Sequence, residues 1–258
     1  TRYRLNKTRS LDVLSFLDVE YEVIPSLLLT TRLNYKYGNS LNDQYQPRKY
    51  TQSGEFNNGA ASISNWQGNT LVSETFANYT KHIKEHGFGI TVGYSYQQDL
   101  VRTFDLGAKD FVNEVLQNEN LDAGNPELNT VANSLTKTEL VSGIFRVNYD
   151  FRDRYLVTFT SRADGSSKFG ANNKWAFFPS GAVSWKVHEE EFAKQWNIFD
   201  ELKFRASYGI SGNQGISPYQ TLSRFGISNY YNDGSWVTVI GPGREVGRAG
   251  QDGIEGLW

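Results

Sequence analysis

Residues 155–187 read YLVTFTSRADGSSKFGANNKWAFFPSGAVSWKV, and their apolar and polar side chains alternate with a period of two. That period admits a half-buried extended strand and little else. Tyr155, Val157, Phe159 and Ala163 share one face, with Thr158, Thr160, Arg162 and Asp164 on the other. A polar loop is predicted from Gly165 to Lys174. Beyond it Trp175, Phe177, Val183 and Trp185 oppose Ser180, Ala182, Ser184 and Lys186.

The same alternation recurs with less contrast over 12–22, 27–37, 70–82, 88–97, 138–151 and 202–211. Eight strands are predicted. The connections alternate between short ones, at 23–26, 83–87 and 152–154, and long ones, at 38–69 and 100–137. Within the second long stretch AKDFVNEVLQ predicts one or two helical turns. HEEEFAKQWNIFDE predicts a short helix between the last two strands. Residues 1–10 read as the tail of a preceding loop and 212–258 as loop.

Such asymmetry is that of transmembrane β-barrels, with short periplasmic turns and long extracellular loops. The aromatics follow the same logic. Tyr21, Tyr79, Phe88, Phe151, Tyr155, Trp185 and Phe204 fall near the short turns, and Tyr37, Tyr96, Trp175 and Tyr208 towards the long loops. These two groups make the interfacial girdles that amphipathic rings prefer. A soluble antiparallel sheet also alternates, and a small closed eight-stranded barrel is a third arrangement. The soluble form requires Phe88, Ile90 and Val92 to be buried against protein. The small barrel requires strand 12–22 to pair with strand 202–212, whereas a piece of a larger barrel leaves both edges open.

Composition narrows the function. The chain has no cysteine, so thiolate ligands and disulfides are excluded. A net charge of -2 offers no basic face for nucleic acid. With 15 Tyr, 16 Phe and 6 Trp but a mean hydropathy of -0.53, the chain suits strands that are apolar on one face only. No apolar run approaches the roughly 20 residues of a membrane helix. Without a charged-then-apolar leader at Thr1, and with GQDGIEGLW at its end, the chain is expected to be an excerpt of a longer protein.

Few motifs carry chemistry. His82, Glu85 and His86 fit the H-x-x-E-H pattern of zinc peptidases, but Gly87 ends any helix at once and a solvated turn is predicted instead. Asn118, Asn120 and Asp122 have calcium-loop spacing with Gly124 one place late. Glu189, Glu190 and Glu191 are consecutive and cannot share one site. No pair of facing carboxylates for glycoside hydrolysis is nominated. Neither a metal, a cofactor nor an enzymatic activity is predicted. Arg162 and Asp164 are expected either to touch substrate or lid, or to pair with each other across the wall, with Gly165, Ser166 and Ser167 turning the chain. Tyr45, Trp66, Tyr230, Tyr231 and Trp236 are expected in long loops, to stack on sugar rings or to lie inside folded loops.

FRVNYDFRDRYLVTFTSRADGSSKFG at 145–170, NNKWAFFPSGAVSWKVHEEEF at 172–192 and LKFRASYGISGNQ at 202–214 resemble the SusC/RagA-like family of TonB-dependent outer-membrane transporters. One position departs, since Phe145 stands where the family commonly has Gly before Arg-Val-Asn-Tyr. The resemblance implies an all-β fold, an antiparallel transmembrane β-barrel segment supplying about eight strands of a larger barrel of roughly 22 with a plugged lumen. It implies that 1–258 belong to one barrel domain, with the plug, the N-terminal segments and the final strands outside the chain. Location in the cell outer membrane, bound by outer-membrane lipid, follows, as does import of oligosaccharides or oligopeptides. The implied partners are a SusD-like surface lipoprotein as lid and the TonB complex acting through the plug. Arg146, Arg162, Asp164, Lys203 and Arg205 become the lumen-side candidates for contact with plug or cargo, and Trp66, Tyr230 and Trp236 the aromatic ones. The alternative from another class is a soluble β-rich carbohydrate-binding or adhesion module.

Overall fold

The computed structural model describes residues 4–49, 52–170, 172–195, 199–221, 225–232 and 235–242, and in the last two segments only the side chains of Ser235 and Val237. Eight strands form one sheet in chain order. They are β1 (Leu5–Ile24), β2 (Leu27–Gln46), β3 (Ala60–Ile83), β4 (His86–Lys109), β5 (Thr130–Phe151), β6 (Tyr155–Ser166), β7 (Trp175–Lys186) and β8 (Lys203–Gly209). β1 and β8 end the order without pairing to each other, which rules out the small closed barrel and leaves two open edges.

Tight turns join β1 to β2, β3 to β4 and β5 to β6. At the last of these Arg152 and Asp153 adopt left-handed φ of 53° and 54°, the twist that suits a tight hairpin. Counting outward from this turn sets the register: Phe151 faces Tyr155, Arg146 faces Thr160, Ile144 faces Arg162 and Ser142 faces Asp164. β7 continues it, with Trp185 opposite Tyr155 and Phe178 opposite Arg162.

The strands run well past their predicted ends. β2 and β3 take in most of the stretch expected as a 38–69 loop, leaving 47–59 with α1 (Gln52–Phe56), and β4 and β5 shorten the 100–137 loop to 110–129. β1 likewise begins within the expected N-terminal tail. The physical reason is visible in the side chains. Asn42 donates to Asn6 and Thr8, Tyr35 to Asn69 and Asn39 to Asn65, so both faces are polar. Backbone pairing then persists with no apolar stripe to reveal it. AKDFVNEVLQ forms no α-helix; 3-10 turns follow at Gln117–Glu119, Leu121–Ala123 and Pro126–Leu128. The expected helix after β7 is reduced to a 3-10 turn at Val187–Glu189 and α2 (Glu191–Lys194). Part of the expected 212–258 loop is a separate hairpin, β9 (Phe225–Asn232) with β10 (Ser235–Pro242).

The chain divides into two compact units. The first comprises residues 1–16, 34–71 and 98–137 and holds a buried cluster of Tyr45, Ala61, Ala108 and Phe111, on which Leu5, Leu121 and Ala123 pack. Tyr45 and Phe111 meet edge to face at 5.9 Å between centroids. The second comprises 17–33, 72–97 and 138–258, and most of its buried residues are small or polar: Thr30, Ser142, Ser161, Asp164 and Ser166. Most of its large apolar side chains are on the open face. Phe88, Ile90 and Val92 are 40%, 37% and 53% exposed, contrary to what a soluble module requires. Phe145 joins them, outward-facing and needing no pocket.

Candidate functional site

The polar face of the second unit gathers the charged residues. Arg162 Nε donates to Asp164 Oδ1 at 2.6 Å and its terminal nitrogen to Ser142 Oγ at 3.0 Å. Ser142 and Asp164 are buried, while the Arg162 side chain is 42% exposed. One edge of the guanidinium is thus anchored and the other open. Arg146 Nε donates to Thr160 Oγ1 at 3.1 Å, one register step along. Removing Arg162 strands a buried carboxylate, a loss of about 3–5 kcal/mol for a fully buried pair and less at this exposure.

Beside this network lies a cleft of about 310 Å³, lined by Thr160, Arg162, Asp164, Ser180 and Gln214 as polar groups and by Phe178 and Ile210 as apolar ones. A fixed guanidinium, hydroxyls and a phenyl ring suit a polar solute with an apolar side.

The predicted site residues are only partly brought together. Arg146, Arg162 and Asp164 form the network. The pair joins residues two apart on one strand, not across a wall, and Gly165 and Ser166 belong to β6, the turn coming at Ser167–Lys168. Lys203 and Arg205 stand on β8, opposite Lys186 and Ser184, with β7 between them and the network. Trp66 is not a loop residue but belongs to β3, where its six-membered ring lies over Gly38 and Gly68; a Cβ at Gly68 would come within 2.4 Å of it. Tyr45 likewise stands on a strand, β2, and at 1% exposed lies inside the first unit's cluster, the interior placement of the two expected for these aromatics. Tyr230, Tyr231 and Trp236 lie on the β9–β10 hairpin, Trp236 opposite Tyr231, and their side chains are outside the described ones.

Ser142, Thr160 and Phe178 carry no local sequence signal of a site. The three-residue turn at 152–154 carried the signal for Ser142, since counting back from it pairs Ser142 with Asp164. Phe178 was hidden because it breaks the alternation of its strand.

The short-turn rim is a row of rings. Phe88 packs on Tyr149 at 5.2 Å, Phe151 on Tyr155 at 6.4 Å and Tyr155 on Trp185 at 6.4 Å. Glu190 accepts from the Tyr155 hydroxyl at 2.7 Å and from Trp185 Nε1 and Arg154, each at 3.1 Å. The Tyr155 and Trp185 donors hold its carboxyl below the ordinary range, against the opposing effect of burial, and Arg154 adds to the lowering. The H-x-x-E-H segment straddles a hairpin, with His82 near the end of β3, Lys84 and Glu85 in the turn and His86 opening β4. His86 Nδ1 lies 2.8 Å from the Tyr149 hydroxyl and Glu85 pairs with Arg152. Among the described residues no three acidic, His or Cys side chains cluster as metal ligands.

No protein-family model matches the chain. It is 38% identical over 205 residues to the TonB-dependent receptor P3 of Formosa agariphila, covering 80% of this chain and 20% of that protein. It is 31% identical over 229 residues to the TonB-dependent receptor SusC of Bacteroides thetaiotaomicron, covering 88% of this chain and 22% of that protein. The chain spans about a fifth of the length of the curated relatives it matches. Among solved structures it resembles the RagAB peptide transporter, with a TM-score of 0.79 at 22% identity, over 93% of this chain and 26% of that one. The closed-closed state of the RagAB peptide importer gives a TM-score of 0.81 at 21% identity, with the same coverage.

Proposed function

The chain is a barrel segment of the SusC/RagA-like family of TonB-dependent receptors, and from that premise we propose that it forms part of the wall of an outer-membrane importer. One observation carries the reading: in the second unit the large apolar side chains are exposed on one face while Arg, Asp, Ser and Thr form a hydrogen-bonded network on the other. A soluble domain buries its apolar face; a barrel wall presents it to lipid and turns the polar one to the lumen.

On this reading 1–258 lie within one barrel domain, the plug and TonB-contacting segments belonging to other parts of the protein. The cargo is an oligosaccharide or an oligopeptide; the RagAB importer, of like fold, is a peptide importer. The partners are a SusD-like lipoprotein at the cell surface and the TonB complex within the periplasm. The protein moves solutes and catalyses no reaction. Arg146, Arg162 and Asp164 face plug or cargo, with Lys203, Arg205, Trp66, Tyr230 and Trp236 as further contacts.

The test is twofold. Antibody against 166–174 should detect a polypeptide much larger than this chain in the outer-membrane fraction; a soluble band of 29.2 kDa refutes the importer. Arg162→Gln should then reduce uptake while the barrel still assembles, and unchanged uptake removes Arg162 from the contact surface.

A further inference from the structure

A second cleft, of about 280 Å³, opens on the polar face where β2, β3, β4 and β5 lie side by side. Arg32 and Arg146 bring two guanidinium groups to it and no carboxylate lines it. Phe76 and Ile144 give it an apolar side. Phe76 lies along the sheet over Gly93, where a Cβ would come within 2.3 Å of its ring. Glycine there lets the ring lie down, so the cleft stays open above it.

The neutral groups are oriented as donors. Thr91 donates its hydroxyl to Asn78 Oδ1 at 2.8 Å, which leaves the Asn78 amide N–H groups for the cleft. Thr30, 5% exposed, lines the cleft as a second neutral group. The two arginines are not used up: Arg146 engages Thr160 through Nε alone. Arg32 has Asp18 at 3.7 Å, on the β1 side, with both side chains about half exposed. Exposed ion pairs at that distance hold weakly.

We propose that this cleft binds a carboxylate group of the cargo, one attached to a ring or chain with an apolar side for Phe76. Two guanidinium groups and two neutral donors around an apolar floor match an oxyanion, since charge-assisted bonds to a carboxylate are about twice as strong as neutral ones. The carboxylate comes from a uronic acid or from an acidic peptide side chain. That it belongs to cargo rests on the importer reading; the site itself does not.

The experiment measures binding to the full-length protein in detergent by calorimetry, with a short oligogalacturonate, its methyl ester and a short oligoglutamate as probes. At least one acidic probe is expected to bind, the one that does so identifying the source of the carboxylate, and the methyl ester not. Arg32→Gln and Arg146→Gln are each expected to weaken binding about tenfold. Arg146→Lys should keep part of it, and added salt should weaken it further. Binding of the methyl ester as tight as the acid overturns the proposal. So does failure of both acidic probes, or variants that lower the melting temperature of the barrel without changing affinity, which would mean that the protein's own chain fills the cleft. Binding is read without transport, so a protein that binds the acidic probe yet supports no uptake counts against the importer and not against this site.

Discussion

The two units differ in what they bury. The first buries Tyr45, Ala61, Ala108 and Phe111 inside a cluster and ties its loops with polar bonds. Tyr45 donates to Glu114 at 2.6 Å, the Arg48 N–H donates to the same oxygen at 2.7 Å, and Asn58 donates to Asp110 at 2.5 Å. The second has its large apolar residues exposed and keeps buried mainly hydroxyls and Asp164. Both expose large apolar side chains on their strands, Phe16, Phe104 and Val131 in the first and Phe88, Val157 and Phe204 in the second, which suits an apolar solvent against that face; the first adds a buried apolar cluster. A single set of strands passes through both, so solvent and not secondary structure decides which side chains go in.

Substitutions should separate the units. Phe111→Ala empties the only cluster of buried hydrophobics among the described residues and should cost about 3–5 kcal/mol. It should be read as lost hydrogen-exchange protection across 45–59 and 108–125 with barrel assembly intact. If assembly fails as well, the first unit is not separable. Val157→Arg, on the exposed apolar face of β6, should cost about 2–4 kcal/mol in a bilayer and deplete the heat-modifiable band in outer membranes. Thr158→Arg, on the opposite face, should be tolerated, and equal loss for the two would contradict the facing assigned to β6.

Smaller effects sharpen the contrast. Tyr45→Phe removes one hydrogen bond from Glu114 and should cost about 1 kcal/mol of local stability. Burial raises the Glu114 carboxyl, but the Tyr45 hydroxyl, the Arg48 N–H and the charges of Arg48 and Lys49 outweigh it, so the group sits below its ordinary value. A depressed carboxylate contributes fully above its unfolded value near 4.3 and loses that contribution as pH falls through the lower folded value. Hydrogen-exchange protection in 47–49 and 52–59, taken relative to the intrinsic exchange rate at each pH, should therefore stay level from neutral pH to about 5 and fall below 4, and Glu114→Gln should flatten the fall. Least of all, Glu85→Gln at the exposed turn should leave stability unchanged, since its partner Arg152 is equally solvated.

Legibility in the sequence followed the apolar face. Phe88 to Tyr96 and Tyr155 to Trp185 alternate because one side of each strand meets an apolar medium, and their faces were read correctly from that alone. The β2 and β3 extensions were read as loop because Asn39, Ser40, Asn42, Asn65 and Asn69 leave neither side greasy. Of the candidate site, Arg162 and Asp164 stood out as polar outliers beside a strand. Arg32 did not, because nothing local distinguishes it from any other cation on a polar face.

The sequence by itself determined the strand periodicity, the placement of the tight turns, the side of each strand that is apolar and, through its long matching stretches, the family. These are local properties, set by side chains two apart and by a few turn residues. Only the tertiary structure decided that Asp164 is buried by Ser142 and Arg162, that Trp66 lies over Gly38 and Gly68, and that Arg32 and Arg146 share one cleft from strands three places apart. Those depend on register across several hairpins, and a slip of one residue in any of them would turn the partner to the other face.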